Sequence, residues 1–156
     1  MVRLYGRAES GQRVYGERPY IRGKNVTLIG ALSLTGFVAA WTIDGGTNGD
    51  AFIGFIEHIL VPNLWSGACV VMDNLTAHKA EEVRRAIEAV GARLIYLSPY
   101  SPDFNPIETC WSSLKQYLRS VAARTRDALD KAISDAMNLV TEEDIRNWFA
   151  HCCYCI

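Results

Sequence analysis

The sequence predicts an α/β domain in which an antiparallel hairpin is followed by parallel strands joined through helices. Three observations predict it. Asn25 to Ile43 carries no charge and is broken by the turn-forming SLTG at Ser33–Gly36. Cys69–Met72 and Arg93–Leu97 are short, apolar-rich runs. Between these two, Lys79–Val90 repeats its apolar residues at helical spacing. A strand, a crossover helix and a second strand in that order make a parallel pair by the right-handed crossover rule.

In chain order, residues 1–24 read as irregular, with GRAESGQR as a turn. Asn25–Ser33 and Phe37–Ile43 are two antiparallel strands; their Thr, Gly and Ser content and central turn fit a hairpin better than a spanning helix, so no membrane is expected. Asn48 caps a helix whose apolar positions are Phe52, Phe55, Ile56, Ile59 and Leu60, and Pro62 is expected to end it. Cys69–Met72 is wholly apolar, the pattern of a strand covered on both faces. The crossover helix from Lys79 to Val90 puts Val83, Ala86, Ile87 and Val90 on one face, and Gly91 stops it.

After the second parallel strand comes SPYSPDFNP, whose prolines forbid regular structure. A helix from Pro106 buries Ile107, Cys110, Trp111, Leu114 and Leu118. A further helix spans about residues 126–140, and the last starts at a Thr141 cap and carries Ile145, Trp148 and Phe149. With 156 residues the chain is read as a single domain, residues 1–156, with a core of its own.

Hydrophobic residues make up 49% and charged ones 21%, which argues for a globular chain over a disordered one. The start, MVRLYGRAES, has no apolar segment and is no secretory signal. Net charge is −1, yet charge is unevenly spread. Arg3, Arg7, Arg13, Arg18, Arg22 and Lys24 face only Glu9 and Glu17 in the first 24 residues; Lys115, Arg119, Arg124 and Arg126 follow one another with no acid between. Such local basic surface is compatible with DNA and equally with an ordinary solvated face. Five cysteines, an odd count without framework spacing, point to reduced thiols and a cytoplasmic protein. The tail His151-Cys152-Cys153-Tyr154-Cys155 is too crowded for a usual zinc site, and no second ligand pair lies upstream.

Two acids stand out. Asp73 ends the first parallel strand and Glu108 opens the Pro106 helix. Each has a structural explanation. An Asp between strand and helix often makes a turn through its own side chain, and Asn105, Pro106 and Glu108 stand at the N-cap, first and third positions of a capping box. As a pair they say more. Both should emerge at the carboxyl edge of the parallel strands, where open α/β sheets place their sites. Two carboxylates there are what a hard cation such as Mg²⁺ takes, with positions left for phosphate and water. Glu108, Ser112, Lys115 and Arg119 also fall on one stripe of their helix, so a carboxylate is trailed by two cations along what can serve as a phosphate track.

The motifs VVMDNLTAHK and YLSPYSPDFNPIETCWSSLK resemble the catalytic domain of mariner-type bacterial insertion-sequence transposases of the Asp-Asp-Glu class. The resemblance continues through RLYGRAESGQRVYGE, GALSLTG, NGDAF and WFAHCCY, and so covers nearly the whole chain. It implies a ribonuclease H-like mixed sheet flanked by helices and three acids that bind Mg²⁺ or Mn²⁺. The implied activity is nicking of DNA at the element's ends followed by strand transfer to target DNA, by a protein that is a homodimer when complete. Asp73 matches the second acid and Glu108 the third. Asn74, His78 and Asn105 belong to the motifs, with loop packing or hydrogen bonding as their expected part. The first acid of the family lies on a central strand preceding RLYGR, and the helix-turn-helix region lies further upstream, so this sequence matches neither. Asp44 and Asp50 follow the hairpin and match no first-acid motif. The expectation is a partial domain, a truncated copy or a frameshift product, with two sheet edges left without partners. The alternatives are an inactive remnant that binds DNA or full-length transposase, and another ribonuclease H-like nuclease.

Overall fold

The computed structural model describes residues 5–16 and 23–155; Arg3, Glu17, Arg18 and Arg22 of the basic N-terminal segment lie outside them. The chain divides into two compact units, one of Lys24–Cys110 with Thr141–Ile156 and one of Met1–Gly23 with Trp111–Val140.

The first unit contains the strands. β1 (Val26–Ser33) and β2 (Gly36–Asp44) form the expected hairpin, paired from Val26↔Asp44 to Ser33↔Gly36. Gly36, at φ 134°, takes the turn conformation that other residues avoid. β3 (Cys69–Met72) and β4 (Arg93–Tyr96) run parallel, paired from Cys69↔Arg93 to Met72↔Tyr96. The antiparallel and parallel pairs of a mixed sheet are thus both present, as two two-stranded sheets with no ladder joining them among the described residues. That arrangement limits coverage of β3. Cys69 is exposed and Ile95 of β4 is 42% exposed, so the expectation of a strand covered on both faces is not met. With only one hydrogen-bonded neighbour among the described residues, β3 is an edge there and not the interior of a wide sheet.

Phe52, Phe55, Ile56, Leu60, Met72, Val83 and Ile87 form the centre of this unit's core, with Ala39 reaching in from β2. Full burial of a side chain of this size contributes on the order of 1.5–3 kcal/mol. Asn48 caps α1 (Gly49–Phe55) as its sequence position predicts, its Oδ1 accepting from the Ala51 N–H at 2.9 Å. Pro62 does not end this helix. The chain widens into a π-turn at Ile56–Leu60 and then tightens into a 3₁₀ turn at Val61–Asn63 that includes Pro62. Phe55, Ile56 and Leu60 are all buried along this stretch.

The crossover also begins later than periodicity indicates. Thr76–Lys79 is a 3₁₀ turn, Ala80 is extended in ψ at 137°, and α2 is Glu81–Ala89. Val83 and Ile87 are wholly buried, while Arg85–Glu81 and Arg84–Glu88 pair on the outer side at 3.2 Å. Gly91 ends the segment at φ 77° and its carbonyl accepts the Gly67 N–H at 2.8 Å. α5 (Glu142–His151) starts in a reciprocal capping box between Thr141 and Asp144.

In the second unit, the N-terminal turn is closed by Gln12 N–H to the Glu9 carbonyl at 3.0 Å. The unit boundary falls within α3 (Pro106–Val121), whose Cys110, Leu114 and Leu118 are buried and whose Ser112, Lys115 and Arg119 are exposed. α4 (Arg126–Asn138) is capped by Thr125 and buries Ala132, Ile133 and Ala136. Among the described residues no helix is long and apolar enough to cross a membrane, and all five cysteines are free thiols.

Candidate metal site at the carboxyl edge of the parallel pair

The parallel pair sets the site. Met72 and Tyr96 are its last partners, and the Leu97 N–H continues the ladder to the Met72 carbonyl at 2.9 Å. Asp73 and the loop that leads to Glu108 therefore leave the pair at the same edge, as the sequence predicts for an open α/β arrangement.

Asp73 is held on one side only. Its Oδ1 accepts the Leu75 N–H at 3.3 Å and meets Nδ1 of His78, while its side chain is 39% exposed. The local turn foreseen as the structural reading of Asp73 is thus present. It uses a single oxygen, and Oδ2 has no hydrogen-bond or ion-pair partner among the described residues. Its neighbour Asn74 carries a buried Oδ1 without a hydrogen-bond partner, a second oxygen acceptor with its capacity unspent.

His78 is itself held from two directions. Its ring stacks on Phe52 at 4.1 Å between centroids and 29° between planes, and its carbonyl accepts the Tyr96 hydroxyl at 2.7 Å; its buried Nδ1 lies against Asp73 Oδ1 without making a hydrogen bond. Tyr96 in turn lies under the Arg84 guanidinium at 5.6 Å.

Glu108 differs from the capping-box expectation. The Asn105 carbonyl accepts the Glu108 N–H at 3.0 Å, but no side-chain bond between Asn105 and Glu108 forms among the described residues. Thr141 and Asp144, with the same spacing, do form theirs. The Glu108 carboxylate is exposed and has no hydrogen-bond or ion-pair partner among the described residues. The loop ahead of it is tied down from a distance: the Tyr154 hydroxyl donates to the Phe104 carbonyl at 3.1 Å.

Hard cations such as Mg²⁺ or Mn²⁺ take oxygen ligands, and Asp73 Oδ2 and the Glu108 carboxylate are oxygens with no hydrogen-bond or ion-pair partner among the described residues. Among the described residues no three His, Cys, Asp or Glu side chains gather as a metal-binding group, and the cysteine-rich tail is no exception. Lys115 and Arg119 are exposed on α3, as their stripe predicts. Sequence reasoning missed Phe52, Tyr96 and Tyr154 as supports of the site. Phe52 and Tyr96 looked like ordinary core and strand residues, and only the WFAHCCY motif hinted at Tyr154.

Comparison with known proteins agrees with this architecture. Among solved structures, a Mos1 transposase paired-end complex with the left transposon end matches with a TM-score of 0.77 and 18% identity, over 95% of this chain and 46% of that one. A Mos1 mariner paired-end complex with Mn matches with a TM-score of 0.75 and 18% identity, over 94% and 46%. The Mos1 strand transfer complex matches with a TM-score of 0.74 and 18% identity, over 96% and 45%. The chain therefore spans less than half the length of those proteins, and at this identity the likeness is one of fold. It bears out the mixed α/β, ribonuclease H-like class. The comparison with curated proteins gives no match. The family model described as DDE superfamily endonuclease matches residues 1–130, and the chain belongs to that family.

Proposed function

We propose that this chain is the catalytic domain of a DNA transposase, a single domain over residues 1–156, which cleaves DNA strands at the ends of an insertion sequence and transfers them to target DNA with Mg²⁺ or Mn²⁺. What supports the reading is that Asp73 follows β3 and the loop to Glu108 follows β4 at the same edge, and that among the described residues Asp73 Oδ2 and the Glu108 carboxylate have no hydrogen-bond or ion-pair partner. Asp73 and Glu108 would hold the cation as second and third acids, and Asn74 supplies a neutral oxygen nearby in sequence. When bound, the divalent ion supplies charge neutralisation at the phosphoryl oxygens and activation of the attacking hydroxyl, on the order of several kcal/mol. The protein's own part is to present oxygens of fixed direction and to hold the DNA backbone. Lys115 and Arg119, four residues apart on exposed α3, are the proposed phosphate contacts. Asp44 and Asp50, which end β2 and open α1, are not proposed as the first acid. Paired element ends make a homodimer the working assembly, and the five free thiols fit a cytoplasmic protein.

The test is Mg²⁺-dependent nicking of DNA carrying the element's terminal repeats by wild type, Asp73→Ala and Glu108→Ala. Nicking by the wild type alone supports the proposal. A second reading, a remnant that binds DNA or full-length transposase without cutting, is favoured by the lack of a third clustered ligand among the described residues. Equal DNA binding with no nicking by all three proteins would select it. Preference for RNA–DNA hybrids over duplex DNA would instead select another ribonuclease H-like nuclease.

A further inference from the structure

We propose that the exposed side chains of Leu75 and Tyr100, at the carboxyl edge of β3 and β4, receive unpaired bases of the DNA strand, with the Tyr100 ring as the stacking platform. The proposal rests on the reading of Asp73 and Glu108 as the site of a phosphodiester. The Leu97 N–H bonds the Met72 carbonyl where the parallel pair ends; Leu75 follows Met72 by three residues and Tyr100 follows Leu97 by three. A chain spans at most about 3.6 Å per residue, so both lie within about 11 Å of that end. Both are exposed, and so is Phe104, four residues ahead of Glu108. One exposed apolar side chain is ordinary; three on the two loops that carry the acids mark a surface for a partner.

The turn holds Tyr100 outward. Its backbone sits at φ 57°, the left-handed region that a bulky side chain avoids. Across it, the Ser101 hydroxyl donates to the Pro99 carbonyl at 3.3 Å. Behind it, the Phe104 N–H bonds the Ser101 carbonyl at 3.3 Å and the Asn105 N–H the Pro102 carbonyl at 2.9 Å. A ring presented on so constrained a backbone has only its own side-chain torsions to lose on contact, so a flat partner is bound at low entropic cost. Chemistry then selects the partner. The broad apolar surfaces of a phosphodiester strand are the faces of its bases, and within a duplex neighbouring bases cover them. Those faces are open only where the strand is unpaired, and an aromatic ring stacks on any of the bases.

The test compares two fluorescein-labelled strands of equal length, oligo-dT and an abasic strand with the same phosphates, by anisotropy with the full chain. Wild type should prefer oligo-dT. Tyr100→Ala should bind oligo-dT about tenfold more weakly and the abasic strand as wild type does, while Tyr100→Trp keeps the preference. The salt slope on oligo-dT should not change in Tyr100→Ala, because no phosphate contact is removed. Tyr100 is wholly exposed, so its replacement leaves the core intact, and the thermal midpoint of each variant checks this. Equal binding of both strands by wild type, or an equal loss on both in Tyr100→Ala, would overturn the proposal. So would unchanged binding together with weaker self-association in Tyr100→Ala, which would make the surface a contact between copies of the chain. Metal-dependent nicking without any preference for bases removes this proposal alone; no nicking and no binding of either strand removes the reading beneath it as well.

Discussion

The Tyr154 hydroxyl donates to the Phe104 carbonyl at 3.1 Å across 50 residues of chain, fastening the C-terminal segment to the turn that precedes α3. The Tyr154 ring meets Phe149 edge-on at 5.4 Å, so the residue is held by packing as well as by its hydroxyl. Tyr154→Phe keeps the ring contact and removes one hydrogen bond, with an expected loss of about 1 kcal/mol and about 2–4 °C in the thermal midpoint. Burial first, and then Cys152 and Cys69, push the Tyr154 phenol above its ordinary 10.0. The neutral phenol is thus favoured by folding, and its contribution is present below pH 10.0 and lost as pH rises through the raised value. Chemical denaturation across alkaline pH should show a steeper decline for wild type than for Tyr154→Phe.

Thiol reactivity should divide the five cysteines. Burial pushes the Cys110 thiol up to about 12 and also raises that of Cys152, while Cys69, Cys153 and Cys155 are exposed. The thiolate is the reactive form. Under native conditions a thiol reagent should label Cys69, Cys153 and Cys155 rapidly and Cys110 and Cys152 only on unfolding, as peptide mass spectrometry would read out. Rapid native labelling of Cys110 would contradict the buried face of α3.

The Thr141 capping box should be pH-dependent in a known direction. The side-chain bond from Thr141 comes first and the backbone bond second in holding the Asp144 carboxyl below its ordinary 3.8. A depressed carboxylate contributes stability above 3.8, and that contribution is lost as pH falls through the lowered value. Thr141→Ala should cost about 1 kcal/mol near neutral pH. In urea denaturation the difference from wild type should shrink in strong acid, and a difference independent of pH would rule out the reciprocal bond.

If the exposed stripe of α3 tracks a phosphate backbone, Lys115→Ala and Arg119→Ala should each weaken DNA binding to a similar degree on all sequences. Each should also reduce the slope of log affinity against log salt by about 1. Fluorescence anisotropy at several salt concentrations measures both quantities. An unchanged slope in both variants would make the stripe an ordinary solvated surface.

Local chemistry was legible without coordinates. The hairpin, the parallel pair, the Asn48 and Thr141 caps and the buried faces of α2, α3 and α4 follow from periodicity and capping residues within a few positions of one another. Asp73 and Glu108 were legible as a pair because strand order and handedness alone send both loops to one edge. The π-turn at Ile56–Leu60 was not, since its apolar spacing reads equally well as a regular helix.

Tertiary structure decided which atoms remain available at those acids. A capping box has one spacing in sequence, yet it forms at Thr141 and Asp144 and not at Asn105 and Glu108. His78 meets Asp73 five positions along the chain, but Phe52 and Tyr96, brought in by α1 and β4, hold the residue there. Periodicity specifies which face of an element is buried; what that face meets depends on how distant segments pack. Sequence therefore determined which acids follow the two parallel strands, and packing determined that among the described residues Oδ2 of Asp73 and the carboxylate of Glu108 are left unbonded.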